Sequence, residues 1–289
     1  MTQVGEVHGD LHVNAQPPAR SHYLAQVAGI APDALVDRDR ELADLADFCT
    51  SPTTNGRYRY LRADAWSGKT ALLQWFVLHP PPDVVVVSFF ITVRLPGQHD
   101  RRAFVDTVLE QLAALQGEPP PQLLAEATRE AHLLSLLARA ARDRQDRGEH
   151  LVLVVDGLDE DLGVHGGPDA HSVAALLPVT PPPGLRLIVS GRPHPPVPFD
   201  VPDRHPLRDP ATDWPLTPSP RAQVLRDVMT RDLKRLLSGT PVEQDILGFL
   251  GWTRRTPAIS RPSEHWPVEF VPDAYVAITA ELDLIAALP

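Results

Sequence analysis

The chain shows two hydrophobic periods. Continuous apolar runs mark strands buried on both faces, and apolar residues recurring every three or four positions mark amphipathic helices. Strands are predicted at residues 57–62, Val84 to Thr92, Leu151 to Val155 and Leu185 to Val189. An amphipathic helix is predicted from about Leu35 through Phe48, with Leu42, Leu45 and Phe48 on one stripe and Asp37 or Asp39 as its N-cap. Further helices are predicted at Ala71 to Leu78, Arg101 to Leu115, Ala170 to Leu177, Arg221 to Leu237 and Pro241 to Leu250. Gln122 to Arg147 reads as one long helix or a broken pair. Its Leu123, Leu124, His132, Leu133, Leu134, Leu136 and Leu137 are expected to face inward, and its late arginines to be solvated at the negative end of the helix dipole. Strands alternating with helices predict an α/β fold: a parallel sheet with helices on both faces, followed by a small helical lid.

Between the first strand and the helix after it lies Ala63-Asp64-Ala65-Trp66-Ser67-Gly68-Lys69-Thr70. A strand, a tight loop ending in Ser-Gly-Lys-Thr and a helix form the context of a phosphate-binding loop. Backbone N–H groups and the positive end of the helix dipole favour a polyphosphate there. Ala65, Trp66, Ser67 and Gly68 would wrap the phosphates, Lys69 would supply a point charge and the Thr70 hydroxyl would ligate Mg²⁺. The full pattern has Gly where this chain has Ala63, and alanine resists positive φ.

A second signal follows the strand Leu151 to Val155: Asp156-Gly157-Leu158-Asp159-Glu160-Asp161. An acid at the carboxyl end of a parallel strand sits where open α/β sheets bind ligands. Asp156 would share Mg²⁺ with Thr70, and Asp159 and Glu160 would orient or deprotonate an attacking water. Four carboxylates between positions 156 and 161 imply a cation nearby. Gly163, Gly166, Gly167 and Pro168 suggest a mobile loop after them.

These two segments, with Ser190-Gly191-Arg192-Pro193 after the fourth strand, resemble the NACHT branch of the STAND NTPases, signal-transducing members of the AAA-related P-loop class, and look most like actinobacterial NACHT-domain proteins. The resemblance covers about residues 33 to 237. It implies binding of ATP or ADP with Mg²⁺, slow hydrolysis, and a nucleotide-controlled conformation and self-association. It places Val36 and Arg38, in a Leu-Val-x-Arg-x-x-Glu-Leu segment, toward the nucleotide base. Ser190 and Arg192 would report the terminal phosphate, with Arg192 also neutralising charge in the transition state. A non-catalytic interaction module and a P-loop kinase are the alternatives. The kinase would need a basic lid, for which Arg139, Arg142, Arg144 and Arg147 are the available arginines.

Composition narrows the setting. A formal charge of −10 over 289 residues disfavours a general nucleic-acid or anionic-membrane surface. One cysteine, Cys49, forbids an internal disulfide and suits a reducing compartment. The first residues lack the basic and apolar regions of a signal peptide, and the longest apolar stretch is too short to span a bilayer. A soluble cytoplasmic protein is expected, with nucleotide, a second copy or a separate sensor or effector as partners. The expected layout is an N-terminal arm (1–32), an NTPase core (33–192), a proline-rich connector (193–218), and a helical lid with a truncated winged-helix-like remnant (219–289). His8, Asp10 and His12 in the arm are too few to hold a metal.

Overall fold

The computed structural model describes residues 22–51, 56–65, 67–92, 98–119, 126–165 and 171–218, and scattered positions from 220 to 240. Its centre is a five-stranded sheet of β1 (Tyr58–Arg62), β2 (Val84–Phe90), β3 (His150–Asp156), β4 (Leu185–Gly191) and β5 (Asp213–Pro215), in the order β2-β3-β4-β1-β5. Every pairing is parallel. Central β3 is fully buried from Leu151 to Asp156, as its unbroken apolar run requires. The fold is α/β, as the alternation predicted.

The described residues include the helices α1 (His22–Ile30), α2 (Asp39–Thr50), α3 (Lys69–Leu78), α4 (Arg101–Gln116), α5 (Glu126–Asp146) and the short α6 (Leu162–His165). α3 packs on β2 and β3, α4 on β2, and α5 on β3 and β4. The chain crosses the sheet one way from β1 to β2 and the other way from β2 through β4. Right-handed crossovers therefore put α3 on one face and α4 with α5 on the other. Phe76, Phe89, Phe104, Leu112 and Leu153 are among the largest side chains sealed inside.

Several expectations are corrected. Neither Asp37 nor Asp39 caps α2: Arg38 holds the N-cap position without a side-chain bond, Asp39 begins the helix, and Asp37 takes a left-handed φ of 58°. α5 is one continuous helix, with Leu133, Leu136 and Leu137 buried and Leu134 42% exposed. Arg139, Arg142 and Arg147 are exposed as expected, but Arg144 is not: it bonds the Leu115 carbonyl and Glu149. The helix expected at Ala170 to Leu177 is only a 3-10 turn, Ala174–Leu176. Gly163 is a point of close approach: a Cβ there would meet the His171 carbonyl at 2.4 Å. The segment read as a connector contributes β5, and α1 lies in the segment read as an arm. The described residues of the predicted helix Arg221 to Leu237 are helical, with Val224 and Val228 exposed. Residues 6–13, 166–170 and 241–289 lie outside the described residues.

Among the described residues β2 is an edge strand, and three of its backbone groups, at Ser88 and Phe90, are met by side chains. Gln111 of α4 accepts from Ser88 N–H (3.0 Å) and donates to the Ser88 carbonyl (2.8 Å), while Phe90 N–H donates to the Tyr23 hydroxyl (2.6 Å). Edges left open invite strand pairing between chains.

His205 is a structural residue in the proline-rich stretch. Its Nδ1 accepts from Leu207 N–H (3.1 Å), so Nε2 carries the proton and donates to the Leu177 carbonyl (3.0 Å). Burial holds its pKa below the ordinary 6.5, opposed by the Leu177 hydrogen bond. The unfolded chain therefore takes up the proton first as pH falls. The stability this neutral histidine contributes is complete above pH 6.5 and is lost as pH drops from there toward the depressed native value. Protonation would orphan Leu207 N–H, a loss of about 1–3 kcal/mol. Melting curves between pH 7.5 and 5 should show a decline of a few degrees that His205→Asn, which cannot titrate, flattens.

Candidate functional site

β1 delivers the chain into the loop and α3 carries it out. Gly68 stands at the N-cap of α3 with φ 87°, a left-handed turn that glycine makes without strain. Lys69 and Thr70 are the first two helical residues, so the helix N-terminus opens onto the loop. Asp37 and Asp83 are the described non-glycine residues with positive φ. Ala63 is therefore unstrained: its N–H extends the β1 ladder to the Gly191 carbonyl (3.3 Å), and its methyl costs the turn nothing. Trp66 lies outside the described residues, while Ala65 forms the turn beside it.

The loop holds polar groups in wait. Ser67 is 1% exposed, and its hydroxyl finds no hydrogen-bond partner among the described residues. Lys69 Nζ donates to the carbonyls of Ala63 (2.5 Å) and Asp64 (3.0 Å). Burial lowers the Lys69 pKa, and the nearby Asp159 and Asp156 carboxylates oppose that shift. Arg38, also buried, donates to the Ser67 carbonyl (2.6 Å) and pairs with Glu41.

β3 brings the first acid to the same place. Thr70 Oγ1 donates to Asp156 Oδ2 at 2.7 Å, and Ser190 Oγ, from the end of β4, donates to Asp156 Oδ1. Ser190 in turn accepts from Gly157 N–H (3.2 Å). Burial raises the Asp156 pKa, while the two hydroxyls and Lys69 work to keep it ionised. The site lies beyond the carboxyl ends of β1, β3 and β4. Connections leave the adjacent strands β1 and β4 in opposite directions across the sheet, which marks a switch point where open α/β sheets bind ligands.

The remaining acids are accommodated by the chain itself, with the Arg192 guanidinium as the cation beside two of them. Asp161 turns inward and accepts from Val173 N–H (2.6 Å) and Gly163 N–H (3.1 Å). Asp159 accepts from Arg192 N–H (3.0 Å) and faces Arg192 Nε (3.0 Å), and Glu160 lies 3.6 Å from Arg192 Nη2. Among the described residues no group of three or more His, Cys, Asp or Glu side chains is poised to hold a metal. Magnesium keeps most of its waters and takes one or two protein ligands. The adjoining Thr70 hydroxyl and Asp156 carboxylate are a donor set of that kind, and the unpartnered Ser67 hydroxyl suits an added anion.

Ser67, Gly68, Lys69, Thr70, Asp156, Asp159, Glu160 and Arg192 thus surround one region. Arg38 lies against the loop at Ser67, and Val36 is 42% exposed. Ser190 serves Asp156 first, a role sequence reading missed, as it missed Glu41. The Arg38–Glu41 spacing of three, one helical turn, was the signal for Glu41. Comparison with known protein families finds no matching family model, and no curated protein matches the chain.

Proposed function

We propose that the chain is a NACHT-type STAND switch that binds Mg–ATP, hydrolyses it slowly, and uses ATP and ADP to set its conformation and self-association. The observation that carries this reading is the Thr70–Asp156 contact. It joins the start of α3 to the end of β3 across 86 positions of sequence, around a helix N-terminus with a half-buried lysine. The N–H groups at Gly68 and Lys69, the Ser67 hydroxyl and the Lys69 amine would receive phosphate oxygens. Thr70 and Asp156 would hold the metal, which neutralises phosphate charge when bound. Asp159 or Glu160 would take the proton of an attacking water. The described helices include none long and apolar enough to cross a membrane, and buried Cys49 suits a reducing, cytoplasmic setting.

Ligand-induced stabilisation is the direct test. ATP with Mg²⁺ at a hundredfold its Kd should add about 2.7 kcal/mol, on the order of 5–10 °C in melting temperature. Asp156→Asn should remove the magnesium-dependent part of that shift. A melting temperature indifferent to ATP and Mg²⁺ would reject the switch and favour a nucleotide-independent interaction module. The hold of Arg192 on both candidate water-activating acids is the observation on that side. A P-loop kinase is less well supported, because Arg139 and Arg144 are paired with acids.

A further inference from the structure

We infer that Arg192 is a latch on the hydrolytic acids: its guanidinium engages Asp159 and Glu160 in the resting chain, and an incoming terminal phosphate must draw it off. The inference rests on the nucleotide-binding reading above and gives that site its regulation. It reverses the sign expected of an arginine whose only role is to stabilise transferred phosphate.

Three observations carry it. Arg192 grips Asp159 twice, by main-chain N–H to Oδ1 and by Nε to Oδ2, so both oxygens of that carboxylate are committed. The same guanidinium reaches Glu160 Oε1 at 3.6 Å. The Arg192–Asp159 pair is sheltered, at 20% and 7% exposed, so solvent screens it less than a surface pair, while Glu160 is 36% exposed. Arg192 also bears electrostatically on Lys69, as do Asp159 and Asp156, so cations and acids face a common space.

The charges set the exchange. Lys69 and Arg192 stand against Asp156, Asp159 and Glu160, leaving the site one negative charge in excess. A terminal phosphate placed between the two cations competes directly with the carboxylates for the planar Arg192 fork, which matches either anion. If the Arg192 guanidinium turns to phosphate, Glu160 and Asp159 Oδ2 are released to orient and deprotonate water, while Asp159 Oδ1 keeps its main-chain bond. If it stays, nucleotide is bound but hydrolysis is slow. One side chain then couples occupancy of the site to its chemistry, and slow turnover is built into the resting fold.

The test measures ATP binding and phosphate release separately on the full chain. Arg192→Ala should bind ATP within about fivefold of the original affinity and release phosphate roughly 5- to 30-fold faster, with kcat rising and KM little changed. Arg192→Lys, with a compact charge that cannot bridge two acids, should fall between the two. Adding Glu160→Gln to Arg192→Ala should abolish the gain. That places the effect on the released acid rather than on looser structure, and covers the case in which Arg192→Ala itself folds poorly. Slower or unchanged phosphate release in Arg192→Ala and Arg192→Lys, with ATP binding intact, overturns the latch and leaves the nucleotide reading standing. Absence of ATP binding by the unaltered chain removes both.

Discussion

On the proposed nucleotide reading, Lys69→Ala should lose ATP binding by more than a hundredfold while the sheet stays folded. The Lys69 amine is half-sheltered and bonded only to two loop carbonyls, Ala63 and Asp64, contacts that help the loop little because burial already disfavours its charge. Its removal should leave melting temperature within a few degrees. The loss falls on the ligand. A polyphosphate at this helix start would face Asp156, Asp159 and Glu160 with Arg192 and the Glu41-paired Arg38 as the side-chain cations left nearby. The expected readout is a missing ATP-induced melting shift and no saturable titration with a fluorescent ATP analogue. Tight binding by the variant would mean that the nucleotide, if bound, sits elsewhere.

Gly157→Ala is the second large effect, and it falls on the fold. Gly157 takes φ 80°, and a Cβ there would lie 2.6 Å from the Ile91 carbonyl oxygen. Left-handed backbone costs a non-glycine residue about 1–2 kcal/mol. Moving one backbone away from another costs a further ~1–3 kcal/mol. Out of a total stability of roughly 5–15 kcal/mol, that is a large share. The damage is directional, because Gly157 N–H is bound to Ser190, which holds Asp156. Urea denaturation should show the loss, and any ATP-dependent stabilisation should shrink with it. A variant within 1 kcal/mol of the parent would show that the turn yields easily and that Asp156 is held by other means.

The core strands were legible because parallel strands buried on both faces leave uninterrupted apolar runs, as Leu151 to Val155 does. β5 was not. Asp-Trp-Pro is three residues long, and it joins the sheet through the backbone of Tyr60 to Arg62 rather than through an apolar pattern. α1 left a signal that went unread: Tyr23 and Val27, four apart, are both buried. In the site, the local words were readable, and so was the meeting of Thr70 with Asp156. What no local pattern carried was the division of labour among the acids. Asp159, Glu160 and Asp161 are consecutive and chemically alike. Their separate fates depend on Arg192, and on Val173 and Gly163, which the fold alone brings to them. Ala63 looked like a defect by pattern and is harmless by geometry.

The amide of Gln111 and the phenol of Tyr23 act as counterfeit neighbours for the outermost strand at Ser88 and Phe90. A second copy approaching from that flank finds those two positions already spoken for, which opposes continuous sheet extension there.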